Sequence, residues 1–173
     1  MKIFLTVVIT LAALIIIGIA FMYLGIYNVA AINPPGHLES WFFSTVMDNS
    51  VAHHSGGIKA PALDGAAMID SGFTHFSRMC AGCHGAPGMK QRGTSKGFNP
   101  PPPNLADAVG DLSDGEIFWI VKNGIKMTGM PAYGANIDNN RIWELVAFVR
   151  LLPKMTADQY QGYMNRLGQE DRR

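Results

Sequence analysis

The chain is 173 residues long and carries 14 Lys and Arg against 13 Asp and Glu, a formal net charge of +1 at pH 7. This length accommodates one modest domain together with shorter additional segments. A nearly balanced charge excludes the basic surface on which nucleic-acid binding depends, so we expect no nucleic-acid partner.

Residues 1–32 are predicted to form a membrane anchor. The chain from Ile3 to Tyr27 is almost continuously apolar and carries no charge. A helix of this length crosses a hydrocarbon core of about 30 Å. The alternative is a signal peptide cleaved near Val29–Ala31, but the apolar stretch of a signal peptide runs only about 7–15 residues. Lys2, the only charged side chain before the span, favours a cytoplasmic N-terminus.

Residues 33–66 are predicted to form a juxtamembrane helix and a linker. The segment 33–36, Asn-Pro-Pro-Gly, breaks the preceding helix. Apolar residues then recur at helical spacing, which predicts a short amphipathic helix; they are Leu38, Trp41, Phe42, Val46 and Met47. Three partners for this apolar face remain open: the lipid interface, another subunit, and the chain's own domain.

The third segment, residues 67–153, contains the run Cys80-Ala81-Gly82-Cys83-His84. A C-x-x-C-H run is the attachment signature of a c-type haem. On a helix the three positions share one face, so two thiols can form thioethers to the porphyrin while the imidazole binds iron. The alternatives are weaker, because a structural zinc site needs four ligands and a redox dithiol lies near a βαβ pattern. We therefore predict one covalent haem c, with His84 as proximal ligand.

The remaining segments predict an all-α domain. A helix over about 64–79 leads into the haem motif, and the Gly- and Pro-rich stretch 85–104 forms a rigid loop. Ser113 and Glu116 form a capping box that begins the next helix. A helix over 141–152 follows, and residues 154–173 form a polar helix and charged tail.

Met130 is the predicted sixth ligand of the iron. Its rivals are Met127 and Met155 downstream and His37, His53, His54 and His75 upstream. Met130 alone lies in a loop bracketed by glycine and proline, which can present a side chain inward. We reject Met127, and we expect His53 and His54 to be solvated in a loop and His75 to point away from the iron.

The stretch 72–152 resembles the class I c-type cytochromes. The resemblance rests on Gly72-x-x-x-Phe76 before the haem motif, the run 144–148 (Glu-Leu-Val-Ala-Phe), Pro103-Asn104-Leu105 and Met130-Pro131. It implies two helices that cross closely at Gly72 around the haem. It further implies that the Pro103 carbonyl accepts a hydrogen bond from His84 and that Met130 binds the iron. We expect Trp119 to fill the core.

The resemblance implies one-electron transfer without substrate chemistry, by a protein that is not itself an enzyme. We expect a single-pass protein of the cytoplasmic (inner) membrane, with the haem domain in the periplasm and with redox donor and acceptor proteins as partners. It is predicted to be a subunit of a larger respiratory or photosynthetic membrane oxidoreductase. The alternatives are a tethered mobile carrier, a gas sensor or peroxidase with a labile Met ligand, and an assembly subunit with a vestigial haem site.

Overall fold

A computed structural model describes residues 1–170 of the chain, apart from the side chains of Thr94 and Glu170. Over these residues the fold is all-helical without a β-strand, as predicted; the end of the predicted charged tail, 171–173, lies outside them. The helices are α1 Lys2–Tyr23, α2 His37–Ser55, α3 Ala66–Met79, α4 Ala81–His84, α5 Leu105–Ala108, α6 Asp114–Asn123, α7 Asn139–Val149 and α8 Ala157–Glu170. Short 3₁₀ turns cover Gly93–Gly97, Tyr133–Ala135 and Leu152–Lys154.

The chain divides into two compact units, Met1–Asn33 and Pro34–Arg173. The first unit is essentially α1, whose side chains are exposed along its whole length. Its 22 residues extend about 33 Å at the helical rise. A helix of this length and composition is able to cross a membrane.

The core of the second unit lies where α3 crosses α7. Phe73 and Phe76 of α3 are buried against Phe148 of α7, with ring centroids 5.4 and 5.2 Å from the Phe148 ring. The two backbones approach closely at Gly72, because a Cβ there would lie 2.0 Å from the carbonyl oxygen of Glu144. Helix α6 packs on α7, and α8 packs on α3. The close crossing predicted at Gly72 is thus present.

The start of α6 is fixed by the predicted capping box. The Glu116 backbone N–H donates to the Ser113 hydroxyl at 3.3 Å, and the Ser113 N–H donates to the Glu116 carboxylate at 2.7 Å. Arg150, just after α7, stabilises the segment before this helix. Its guanidinium donates to the Val109 carbonyl at 2.7 Å and to the Leu112 carbonyl, and it pairs with Asp114.

Helix α2 ends at Ser55, but it is not amphipathic as predicted, because its apolar side chains are not confined to one face. Near its C-terminal end, Val51 and Ser55 are buried where the helix packs on α6. Most of the apolar side chains before them are exposed, including Trp41 at 63% and Phe42 at 52%. Packing onto the chain's own domain therefore accounts only for the C-terminal part of α2.

Two sequence expectations near α2 are wrong. His53 and His54 lie on the helix, not in a loop, although both are solvent-exposed as expected. Trp119 does not fill the core: it is half-buried, and its ring stacks on His54 with centroids 5.8 Å apart. The histidine and the indole both serve the contact between α2 and α6, which the local sequence pattern of either helix does not reveal.

Candidate functional site: a haem c cradle

The C-x-x-C-H run forms a helical turn directly after α3. The backbone N–H groups of Cys83 and His84 both donate to the Cys80 carbonyl, at 3.1 and 3.0 Å. One turn therefore carries all three side chains, as the i, i+3, i+4 spacing predicts. Cys80 is buried, whereas Cys83 and His84 are half-buried. Burial, and secondarily the nearby Cys83, raises the pKa of the Cys80 thiol to about 12.

His84 is oriented by the proline-rich loop. Its Nδ1 lies 2.8 Å from the carbonyl oxygen of Pro103. The neighbouring carbonyl, that of Pro102, accepts a hydrogen bond from the Gln91 side-chain amide at 2.8 Å, which holds this part of the loop. With Nδ1–H donated to Pro103, the neutral imidazole keeps Nε2 for a metal. Burial lowers the pKa of His84, against the opposing effect of the Pro103 hydrogen bond, and so favours this neutral form.

Met130 lies in a tightly folded loop. Its N–H donates to the Thr128 hydroxyl at 3.1 Å, and its carbonyl accepts from the Ile125 N–H at 3.2 Å. Gly124 closes the loop at φ 66°, where a Cβ would lie 2.7 Å from the Met130 carbonyl oxygen. The Met130 side chain is half-buried and packs against the core. The loop thus turns this methionine inward.

The other candidates for the sixth iron ligand lie in environments that differ from that of Met130. Met127 is 85% exposed and adopts φ 61°, so its thioether faces solvent. His75 is paired with the Glu144 carboxylate at 3.4 Å, on the α3–α7 crossing. Met155 is half-buried against the core, on the chain leading into α8. Of the predicted site residues, the structure brings Cys80, Cys83, His84 and Pro103 together.

Two tyrosines near the cysteines were not singled out from the sequence. The Tyr133 hydroxyl donates to the Met79 carbonyl at 3.0 Å, and the Tyr160 ring belongs to the same buried cluster as Cys80. Burial, followed by electrostatic interaction with Cys80, raises the pKa of both phenols to about 12. The position of Tyr133, three residues after Met130, was a usable signal. Tyr160 lies in a helix outside the resemblance, and nothing local marks it.

The sequence model of the family described as "Cytochrome C oxidase, cbb3-type, subunit III" matches residues 67–149. Residues 67–149 belong to the class I c-type cytochromes. The cytochrome domain binds haem c and transfers electrons. Helix α1 is long and apolar enough to cross a membrane. No curated protein sequence matches the chain.

The residues present fit such a haem. Two thiols and an imidazole with its second nitrogen satisfied share one turn, and a soft thioether side chain is turned inward by its loop. Two thiols and one imidazole are one ligand short of the four that a structural zinc ion takes, so this donor set suits an iron porphyrin better.

Proposed function

We propose that the protein is a membrane-anchored monohaem cytochrome c that carries single electrons within a larger membrane oxidoreductase. Its haem is covalently attached at Cys80 and Cys83, and the iron is ligated by His84 and Met130. The observation that carries the proposal is the 2.8 Å contact between His84 Nδ1 and the Pro103 carbonyl, because it leaves Nε2 as the iron-binding nitrogen. The anchor spans the cytoplasmic membrane, and the haem domain faces the periplasm.

The bound haem supplies a one-electron redox couple, and the residues around it set the reduction potential of that couple. The hydrogen bond from His84 to Pro103 fixes the plane of the imidazole and raises its basicity. A methionine sulfur favours ferrous iron, so Met130 raises the potential into the range of electron carriers. The buried aromatic side chains of α3 and α7 exclude water from one side of the site.

The segment after the anchor favours a fixed subunit over a mobile carrier. Thirteen residues, 24–36, connect α1 to α2, and they include Pro34 and Pro35. Such a connector reaches at most about 45 Å and lacks the Gly- and Ser-rich composition of a flexible tether. Most of α2 then exposes large apolar side chains, a surface that soluble monomers rarely leave uncovered. The description of the matching family names a subunit of an oxidase, which supports the fixed-subunit alternative.

The first test is carbon monoxide binding by the ferrous protein, purified in detergent with its anchor. A closed six-coordinate site gives no spectral change. Met130→Ala should open the sixth position and bind carbon monoxide, whereas Met127→Ala, the matched control, should behave as the unmodified protein. Rapid stoichiometric binding by the unmodified protein would instead support a gas sensor or peroxidase.

The second test addresses the parent complex. Trp41→Ser combined with Phe42→Ser should release the cytochrome from co-purifying subunits, with its visible spectrum unchanged. The matched control is Met127→Ser, which alters an exposed apolar side chain outside α2. A cytochrome that migrates alone in mild detergent, with or without these substitutions, would favour the mobile carrier.

A further inference from the structure

The loop that carries Met130 is fixed at its base on α6. A Cβ added at Gly134 would lie 2.7 Å from Lys122 Cγ and 2.8 Å from the Lys122 carbonyl oxygen, so the end of the loop rests on the last turn of α6. The backbone hydrogen bonds of Met130 itself go to Thr128 and Ile125 of the same loop. These contacts shape the loop, but they do not set its distance from the haem motif.

A side-chain hydrogen bond joins this loop to the haem motif. The hydroxyl of Tyr133, three residues after Met130, donates to the Met79 carbonyl at 3.0 Å. Met79 is the last residue of α3 and directly precedes Cys80. The last carbonyls of a helix have no partner within the helix, so this carbonyl is available to a donor from elsewhere. The bond is partly buried and connects positions 54 residues apart.

We propose that Tyr133 is a positioning residue that keeps the Met130 thioether at the iron, by tying the loop of Met130 to the residue before Cys80. The inference rests on the proposed ligation of the iron by Met130. Because the haem is attached at Cys80 in the proposed function, the hydrogen bond fixes the loop relative to the haem itself. Without the hydroxyl, the Met79 carbonyl loses its donor and the loop gains freedom, so the thioether leaves the iron more often.

The test is titration of the ferric haem protein with imidazole, a ligand that competes with methionine for the sixth position and is followed in the visible spectrum. Its apparent affinity is proportional to the fraction of protein in which that position is open. One hydrogen bond is worth about fivefold in such an equilibrium, so Tyr133→Phe should bind imidazole about fivefold more tightly than the unmodified protein. Tyr160→Phe is the matched control, since it removes a phenol hydroxyl that has no hydrogen-bond partner within residues 1–170. It should bind imidazole as the unmodified protein does.

The same substitution in a Met130→Ala protein separates this role from a general loosening of the fold. With no thioether left to hold, Tyr133→Phe should cause no further change in imidazole affinity. A fivefold change in that background as well would show that the hydroxyl acts on the whole domain, and would overturn the proposal.

Two further outcomes separate this inference from the function on which it rests. If Met130→Ala alone bound imidazole no more tightly than the unmodified protein, the assignment of Met130 as a ligand would be overturned. If Met130→Ala bound imidazole tightly while Tyr133→Phe bound it as the unmodified protein does, only the role of Tyr133 would be overturned.

Discussion

Gly72→Ala should open the crossing of α3 and α7. The added Cβ would lie 2.0 Å from the Glu144 carbonyl oxygen, 2.7 Å from its carbonyl carbon and 3.0 Å from the Phe148 Cβ. Real Cβ atoms essentially never come within 3.0 Å of another heavy atom, so one helix must retreat by at least 1.0 Å. The nearest atoms that the new Cβ meets belong to the Glu144 backbone, so rotation of a side chain cannot relieve the clash.

A displacement of this size separates Phe73 and Phe76 from Phe148 at the centre of the core. Overpacking a tight core typically costs about 1–3 kcal/mol, and we expect at least about 3 kcal/mol here because two backbones must part. The assay is urea unfolding of the purified haem protein, followed by the Soret band and by far-ultraviolet circular dichroism.

Gly162→Ala is the matched control. Gly162 lies inside α8, and a Cβ added there would have no heavy atom within 4 Å. The same substitution at this position should stabilise the protein by about 0.5–1 kcal/mol, because alanine loses less backbone entropy in a helix. If Gly72→Ala cost less than about 0.5 kcal/mol, the two helices would not be in the close contact described.

Arg150→Met should destabilise the domain by about 2 kcal/mol in urea unfolding, because two carbonyls and Asp114 lose a charged donor. Arg141→Met, which breaks only an exposed pair 3.9 Å long, should cost under about 0.5 kcal/mol, and equal losses would contradict the role of Arg150. Ser113→Ala should cost about 1 kcal/mol of helix capping, measured in the same way. Hydrogen bonds from Ser113 lower the pKa of Glu116, so this stabilisation is present above about pH 4.5 and is lost as the pH falls through the lowered pKa. If Ser113→Ala left the acid-unfolding profile unchanged, the pH-dependent stabilisation by the Ser113–Glu116 hydrogen bonds would be refuted.

The features that were predictable from the sequence depend on short-range spacing. The haem motif and the capping box at Ser113 each place their groups within one helical turn, and helical geometry alone fixes the result. The crossing at Gly72 joins residues about seventy positions apart, and its prediction came from resemblance to a family. The ligand roles of Cys80, Cys83, His84 and Met130 stay predictions.

The features that were missed depend on contacts between distant helices. His54 and Trp119 stack across α2 and α6, and neither helix contains a local sign of the other. Nothing in the sequence of α8 distinguishes Tyr160 from its neighbours. Only the packing of α8 on α3 shows that its hydroxyl is buried without a hydrogen-bond partner. The apolar residues of α2 showed helical spacing, but spacing does not reveal that the domain covers only one end of the helix.

Side-chain contacts also link α3 and α7 at the Gly72 crossing. Glu144, whose carbonyl meets Gly72, accepts a hydrogen bond from the Ser71 hydroxyl at 2.5 Å and pairs with His75. Backbone and side chains thus hold α3 and α7 together at the same turn, and a close-packed interior of this kind deforms very little. We therefore expect the frame that carries the haem motif to keep its shape when an electron arrives, which would keep the rearrangement energy of each transfer small.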